Sequence, residues 1–308
     1  MLPPRDAITV ALGRQALSLA ARVLRDAGRR TVLVPAYCCQ TMVTPWELEG
    51  MAVDRVPVGP DLLMSADELA RRVRYRLDRG EIPAVLHCET FGVRAGTSLR
   101  SVLDGAAAGG VPVVVDRTHS FLGGRGEPGW IEVVSTRKLF ALPEVGWICG
   151  LPRGEDDGRQ PRGRLDDRLT RAREQFLAEP GVDSFEAAED LADEAWTPVP
   201  PHPDALSALS GLDTEKFARR ILKTRRRVAE RVPRLDVVNP GAVCPLVIRD
   251  PHADELADEL FRHGMVGPIH WDRPEHLPAG AAWPERILCL PTVLDESQVE
   301  LVAEVLSP

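Results

Sequence analysis

Residues 111–120 read VPVVVDRTHS, a strand-like run that ends on the acid Asp116 and continues to His119. The uninterrupted valines indicate a strand covered on both faces, as in a parallel sheet flanked by helices. An acid directly after such a strand costs free energy to desolvate unless it is paired. The protonated nitrogen of a pyridine ring is one suitable partner, and a capping role for Asp116 at a turn is the alternative interpretation.

On both sides of this segment, apolar strands alternate with amphipathic helices. Strands are predicted at about 31–37, 52–58, 84–91, 111–115 and 131–135, and helices at about 14–27, 65–78 and 98–108. This alternation predicts an α/β fold with a mostly parallel sheet. Polar clusters at 87–90, 116–119 and 135–138 follow three of the strands, at the sheet edge where cofactor sites lie.

The second half of the chain is organised differently. A stretch rich in Gly, Pro, Arg and Asp at 152–163 predicts a loop, helical segments are expected at about 165–177 and 184–194, and one or two helices are expected over 204–232. A small α+β unit follows, with strands at 243–248, 265–269 and 287–290 and helices at 253–264 and 296–306. We therefore divide the chain into a large α/β domain, residues 1–205, and a small C-terminal domain, residues 206–308.

Charge and cysteine content limit the classes of partner. The 308 residues hold 38 Lys and Arg against 46 Asp and Glu, a net charge of −8 that disfavours nucleic acid as a partner. No apolar run is long enough to span a membrane, and residues 1–14 carry charges where a signal peptide would be apolar, so we expect a cytoplasmic protein without a membrane partner. The six scattered cysteines form no C-x-x-C, and no metal site is predicted.

Lys138 stands out because only three of the 38 basic residues are lysines, and Lys216 and Lys223 lie in helical sequence. Lys138 follows the strand at 131–135 and precedes an apolar run, an environment in which a lysine can act as a nucleophile towards a carbonyl group. The alternative is a lysine that extends along the strand end to reach water.

Gly13 opens the first predicted helix, so that Gly13, Arg14 and Gln15 occupy its first turn. Free backbone N–H groups and the positive end of the helix dipole attract phosphate there. Glycine begins many helices, and the signal is weak when taken alone.

In their order along the chain, these segments resemble the DegT/DnrJ/EryC1/StrS aminotransferase family, whose members are fold-type I pyridoxal phosphate (PLP) enzymes. Residues 13–17 resemble the family's S-G-T-x-A-L loop, 34–39 its V-x-P-x-x-T-F/W strand end, 86–92 its H-x-x-G motif and 115–119 its E-D-x-A-H/Q motif. Residues 218–232 and 287–291 are similar to its R-x-x-N-Y helix and its L-S-L-P ending. The resemblance covers nearly the whole chain and implies a seven-stranded, mostly parallel sheet with a small C-terminal α+β domain.

The resemblance also implies roles for individual residues. Asp116 would pair with the pyridine nitrogen, His119 would contact the ring on the side of its phenolic oxygen, and Lys138 would bind the cofactor covalently and shuttle a proton. Further cofactor contacts would come from Gly13, Arg14, Gln15, Tyr37, Cys39 and Ser135. Cys39 stands where the family has a ring-stacking aromatic residue. Candidate substrate contacts are His87, His270 and Trp271, with anchoring of the domain junction as the alternative for Trp271.

The predicted function is that of a PLP-dependent aminotransferase, which acts on a keto intermediate with an amino acid as the donor. The keto intermediate is a sugar nucleotide or another biosynthetic metabolite. A homodimer is expected because the family builds its sites at the subunit interface. Two alternatives stay open: a PLP-dependent lyase or β-eliminase that acts on an amino acid, and a non-catalytic scaffold. Retention of Asp116, His119 and Lys138 together argues against the scaffold.

Overall fold

A computed structural model describes residues 2–124, 126–152, 160–179, 181–265, 283–284 and 286–307. The strands in these ranges are β1 (Ile8–Val10), β2 (Thr31–Pro35), β3 (Ala52–Val56), β4 (Ala84–Cys88), β5 (Val113–Asp116), β6 (Ile131–Ser135), β7 (Gly146–Cys149), β8 (Asp236–Val237), β9 (Val247–Arg249) and β10 (Ile287–Cys289). The α-helices are α1 (Gly13–Asp26), α2 (Gln40–Leu48), α3 (Ala66–Leu77), α4 (Thr97–Ala108), α5 (Asp167–Ala178), α6 (Val182–Ala192), α7 (Pro203–Ser210), α8 (Thr214–Arg231), α9 (Ala253–Arg262) and α10 (Glu296–Val305). Within these ranges, no helix is both long and apolar enough to cross a membrane.

Seven strands form one sheet in the order β1-β7-β6-β5-β4-β2-β3. The five strands β2 to β6 run parallel to one another, whereas β7 is antiparallel to β6 and β1 is antiparallel to β7. The valine-rich strands are buried on both faces, as their uninterrupted apolar sequence requires. The predicted α/β class with a seven-stranded, mostly parallel sheet is therefore confirmed.

Helices cover both faces of this sheet. On one face, α1 and α2 pack against Leu86 of β4 and Val114 of β5, with Trp46 of α2 fully buried. On the other face, α3 and α4 pack against Val85 and Val113. Adjacent residues of one strand thus point to opposite faces of the sheet. Only every second side chain of a strand can therefore reach a site on the face that α1 covers.

Three short strands, β1, β7 and β8, and the helix α2 were not predicted from the sequence. β1 has only three residues, and β7 begins with Gly146, so neither shows the long apolar run that identifies β2 or β4. α2 contains Pro45, which lacks an N–H donor and indicates a helix break in sequence. Burial of Val43 and Trp46 against α1 stabilises α2 in spite of Pro45.

The second half contains the predicted helices and a smaller antiparallel sheet in the order β10-β9-β8. The helical segment predicted at 204–232 is two helices, α7 and α8. The strand predicted at 243–248 begins only at Val247, because the segment before it contains Pro245 and turns under α8. The strand predicted at 265–269 lies, except for Met265, outside the described residues.

Contacts between the two sheets form a shared apolar cluster. Tyr37 and Phe91, from the ends of β2 and β4, pack with Val238, Val247 and Ile287 near and within the small sheet. The helix α7 packs against the large sheet through Ala205 and Leu209 in another cluster. The division of the chain between residues 205 and 206 stays a prediction.

Candidate active site

The carboxyl ends of β5 and β6 meet the N-terminus of α1. Asp116 is the last residue of β5, and Ser135 is the last residue of β6. The Ser135 backbone N–H donates to Thr118 Oγ1 over 3.0 Å, which links the turn after β5 to the end of β6. A short 3-10 helix, Thr136–Lys138, then carries Lys138 out of the sheet. The predicted residues of two strand ends are thus brought to one place.

Asp116 is a buried acid, 6% exposed, on the α1 side of the sheet. Its Oδ1 accepts a hydrogen bond from the Thr118 backbone N–H at 2.8 Å, the geometry of a turn cap. Burial raises the pKa of Asp116, and the carboxylate of Glu89 adds to this rise, while the hydrogen bonds from Thr118 and the charge of Lys138 oppose it. Asp116 therefore caps its turn and is also an acid that a nearby cation would stabilise in its charged form.

His119 is held as a neutral imidazole. The Phe91 backbone N–H donates to His119 Nδ1 over 3.1 Å, and the two rings stack with centroids 5.7 Å apart and planes 2° apart. Burial lowers the pKa of His119 to about 3, and the charge of Lys138 lowers it further in the same direction. Because Nδ1 accepts a hydrogen bond, the ring proton lies on Nε2.

Lys138 is exposed and lies on a turn that the backbone holds firmly. The Thr136 N–H and Oγ1 both donate to the carbonyl oxygen of Val145, over 3.0 and 2.8 Å. Val145 has a φ of 93°, a left-handed conformation that is strained for a β-branched residue, and its N–H donates to Ala11 O over 2.9 Å. These hydrogen bonds keep Val145 in a conformation that glycine usually adopts.

The ammonium group of Lys138 lies within electrostatic reach of three buried or half-buried side chains. It lowers the pKa of Asp116 and of His119, in each case as a smaller effect than burial. It also lowers the pKa of Glu189 on α6, where burial acts in the opposite direction and Arg137 acts with it. The positive charge of Lys138 therefore acts on Asp116, His119 and Glu189.

Gly13 is required by the close contact between α1 and β6. A Cβ atom on Gly13 would lie 2.6 Å from Ser135 Cβ, closer than real side chains approach each other. The first turn of α1 is thereby held directly against the end of β6, with its intrahelically unpaired N–H groups at the carboxyl edge of the sheet. This is the arrangement that binds phosphate at helix N-termini.

The side chains of Arg14 and Gln15 contact other parts of the protein, whereas the sequence predicted that these residues contact the cofactor. Gln15 Nε2 donates to Ala195 O over 3.1 Å, its Oε1 accepts from the Leu12 and Val199 N–H groups, and its own N–H donates to Leu12 O. Gln15 therefore ties α1 to the segment after α6, and its predicted phosphate contact is not supported. Arg14 pairs with two acids near the end of α6, Glu189 and Asp193.

The two residues predicted beside the cofactor ring occupy different surroundings. Tyr37 is fully buried in the cluster between the two sheets, with its ring 4.8 Å from that of Trp283, so it belongs to the domain contact. Cys39 is half-buried at the start of α2, where its Sγ lies 3.0 Å from Thr41 Oγ1. Burial lowers the pKa of Arg137, and the charge of Glu189 opposes this effect.

His87 is not part of this site. Cys88 pairs in register with Asp116, so His87, one residue earlier, points to the opposite face of the sheet. There its ring makes an edge contact with Trp130 at 6.3 Å, and burial lowers its pKa to about 4. The predicted substrate contact of His87 is therefore corrected to a place in the α3–α4 core. His270 and Trp271 lie outside the described residues.

Four residues at the site were not identified from the sequence: Thr118, Arg137, Arg173 and Glu189. Thr118 follows Asp116 by two residues, the spacing of an Asx turn, and that spacing was the available signal. Arg137 directly precedes Lys138 in the sequence, and that position was the available signal. Glu189 pairs with Arg137 across 52 positions of sequence, and no local pattern indicates that contact.

Comparison with known proteins gives structural relatives only. No protein-family profile and no curated protein matches the chain. Its structure is similar to that of the sugar aminotransferase CalS13 from Micromonospora echinospora, with a TM-score of 0.67, 20% identity and coverage of 97% of this chain and 86% of that one. It is also similar to a DegT DnrJ EryC1 StrS aminotransferase from Brucella abortus, with a TM-score of 0.63, 18% identity and coverage of 97% and 84%.

A third similar structure is the PMP form of a putative sugar aminotransferase, Spr1654, from Streptococcus pneumoniae. Its TM-score is 0.67 at 15% identity, and the match covers 97% of this chain and 86% of that one. At these identities the likeness establishes the fold: the chain has the fold of the DegT DnrJ EryC1 StrS aminotransferases over nearly its whole length. The predicted resemblance is confirmed at that level.

Proposed function

We propose that the chain is a PLP-dependent aminotransferase that transfers an amino group from an amino acid to a keto intermediate, such as a keto sugar linked to a nucleotide. The observation that carries this proposal is the convergence of Asp116, His119 and Lys138 beside the N-terminus of α1. The aminotransferase fold supports the cofactor, and the similarity to the sugar aminotransferase CalS13 and to the putative sugar aminotransferase Spr1654 supports the acceptor class.

The residues present fit PLP. Asp116 is a buried acid with a raised pKa, caused by burial, and a protonated pyridine nitrogen would supply the cation that stabilises its carboxylate. His119 carries its proton on Nε2 and can donate to an anionic ring oxygen. Gly13 lets the first turn of α1 contact the end of β6 closely, next to the Ser135 side chain. We assign the phosphate to the Gly13 and Arg14 N–H groups and to Ser135.

When it is bound, PLP supplies a conjugated ring that accepts the electron pair released at the donor's α-carbon. Asp116 keeps the ring nitrogen protonated, and without that proton the ring accepts electrons poorly. His119 orients the ring through its oxygen. Lys138 Nζ would hold the cofactor covalently and, once the donor amine replaces it there, would accept the proton released from the donor's α-carbon.

A second candidate function is a PLP-dependent lyase. Cys39 provides less bulk than the aromatic residue that the resembled family places over the ring, which leaves room for a different substrate. The two functions differ in the fate of the proton that Lys138 holds. An aminotransferase would use this proton to convert the cofactor to its amine form, whereas a lyase would expel a β-substituent from the substrate and would keep the cofactor in its aldehyde form.

Assembly and location are part of the same proposal. Lys138 is exposed in the single chain, and a second copy would cover it, so we propose a homodimer. The six cysteines are free, four of them are buried, and no disulfide is required, which supports a reducing cytoplasm. Sedimentation equilibrium tests the dimer, and a monomer that turns over normally would reject it.

The experiment that tests the function supplies a donor without an acceptor. PLP-loaded protein is mixed with L-glutamate or L-glutamine, and the visible absorption of the lysine-bound cofactor is followed. An aminotransferase loses that absorption and releases one equivalent of keto acid. Persistence of the absorption with several donors, accompanied by release of ammonia, sulfide or pyruvate, would reject the aminotransferase in favour of the lyase.

A further inference from the structure

Glu189 of α6 lies between two arginines that come from different parts of the site. Arg14, in the first turn of α1, places NH2 at 3.0 Å from Glu189 Oε2. Arg137, the residue before Lys138, places NH1 at 3.1 Å from Glu189 Oε1. Each oxygen of the carboxylate therefore contacts one of these two guanidinium groups, and the two arginines hold a single anion between them.

The surroundings of this anion position carry an excess of positive charge. Arg173 of α5 lies 3.4 Å from Glu189, and Asp193 pairs with Arg14. Two carboxylates, Glu189 and Asp193, thus pair with three guanidinium groups, those of Arg14, Arg137 and Arg173. This leaves one surplus positive charge, which a phosphate dianion in place of the Glu189 carboxylate would neutralise.

The buried arginines also have donors to spare. Arg14 is 6% exposed and Arg173 is 3% exposed, and buried cations of this kind need full pairing. The Nε atoms of Arg137 and Arg173 are buried and have no hydrogen-bond partner among the described residues. A tetrahedral anion with three terminal oxygens accepts more hydrogen bonds than one carboxylate does.

We propose that Arg14 and Arg137 form the recognition pair for a phosphate dianion, and that Glu189 is a built-in competitor which the phosphate displaces from between them. The guanidinium fork matches carboxylate and phosphate alike, so one anion can replace the other. The phosphate brings a second charge and adds the N–H groups of the first turn of α1. For the phosphate of the cofactor, this inference rests on the proposed function; a phosphorylated substrate is the other source of the same group.

Arg14 keeps its position when Glu189 is displaced. Its other carboxylate partner, Asp193, lies one turn further along the chain, and its guanidinium lies 5.0 Å from the ring centroid of Trp196 in a cation–π contact. The phosphate therefore competes only with the Glu189 side chain. Because of this competition, an anion must bind the two arginines more tightly than Glu189 does in order to displace it.

The test measures dissociation constants by isothermal titration for four probes: PLP, pyridoxal without its phosphate, inorganic phosphate and uridine diphosphate. Glu189→Gln removes the competing charge and keeps an acceptor for the arginines. Glu186→Gln, at an exposed position of the same helix, is the matched control. We expect Glu189→Gln to lower the dissociation constant of the phosphate-bearing probe by about tenfold. Pyridoxal binding and the control variant stay unchanged.

Arg137→Gln should change the affinity for phosphate in the opposite direction, and it keeps the test valid if Glu189→Gln folds poorly. We expect it to weaken the same probe by about tenfold or more, again without effect on pyridoxal. A response confined to PLP and inorganic phosphate identifies the cofactor as the source, and a response confined to uridine diphosphate and inorganic phosphate identifies the substrate; both outcomes support the recognition pair.

The inference is overturned if neither variant changes the binding of any phosphate-bearing probe, or if pyridoxal and Glu186→Gln respond equally. Failure of the proposed function is a separate result. A wild-type chain that does not bind PLP would reject the function, while the titrations with inorganic phosphate and uridine diphosphate would still decide whether the arginine pair recognises phosphate.

Discussion

The Phe91 backbone N–H donates to His119 Nδ1 over 3.1 Å, and the rings of the two residues lie parallel. This contact joins the turn after β4 to the turn after β5 and decides which nitrogen of His119 carries the proton. The Phe91 carbonyl oxygen in turn accepts a hydrogen bond from Asn239 Nδ2 at 2.9 Å. A buried asparagine next to the small sheet thereby helps to fix the imidazole that we place against the cofactor ring.

Replacement of Asp116 by Asn should abolish turnover and preserve the fold. The amide still accepts the hydrogen bond from the Thr118 N–H, but it cannot keep a pyridine nitrogen protonated, so we expect kcat to fall by roughly a thousandfold or more. Steady-state kinetics and thermal unfolding measure the two effects. Near-normal kcat with an unchanged Tm would show that Asp116 is only a turn cap.

Replacement of Gly13 by Ala should destabilise the protein and weaken cofactor binding. The new methyl group would lie 2.6 Å from Ser135 Cβ, so α1 must shift from β6, at a cost of about 1–3 kcal/mol. Gly105→Ala in α4 is the matched control, because nothing lies within 4 Å of its new methyl group and helix propensity favours alanine. Urea unfolding and PLP titration check both variants. Equal stability changes of the same sign would contradict the close contact.

Replacement of His87 by Leu should leave activity unchanged and reduce the pH dependence of stability. Burial lowers the pKa of His87 from 6.5 to about 4, so the unfolded chain binds the proton more readily between these pH values. Stability contributed by the neutral ring is therefore lost as the pH falls through this range, by up to about 1.4 kcal/mol per pH unit.

Urea unfolding of His87→Leu at several pH values between 4 and 7 tests this assignment, with the exposed His263→Leu as the control. The slope of the unfolding free energy against pH should decrease in the first variant and not in the second. A large loss of kcat/KM in His87→Leu at unchanged stability would return His87 to the substrate site.

Much of the fold follows from local sequence. The continuous valines of β5 and the equally apolar β2 and β4 predict buried parallel strands, and the rule that sites lie at carboxyl strand ends selects Asp116, His119 and Lys138 together. Strand alternation also explains the error at His87, because a polar residue near a strand end points to either face, and only the register with β5 decides which.

The rest depends on contacts that are distant in sequence. The side chains of Arg14 and Gln15 are directed by residues 189–199, and nothing in the first helix indicates that those residues pack there. Tyr37 is taken into the contact between the sheets by residues beyond position 237. The left-handed conformation of Val145 is likewise set by its hydrogen bonds with Ala11 and Thr136, since valine by itself disfavours it.

The central claim is that Lys138 binds the cofactor, and reductive labelling tests it most directly. Protein loaded with PLP is treated with borohydride, digested and analysed by mass spectrometry, with Lys138→Arg and the double variant Lys216→Arg/Lys223→Arg in parallel. The chain has only these three lysines, so the variants cover every lysine. We predict a pyridoxyl group on the peptide that contains Lys138 in the wild type and in the double variant, and none in Lys138→Arg. Labelling at Lys216 or Lys223, or no label after addition of excess cofactor, would contradict the account.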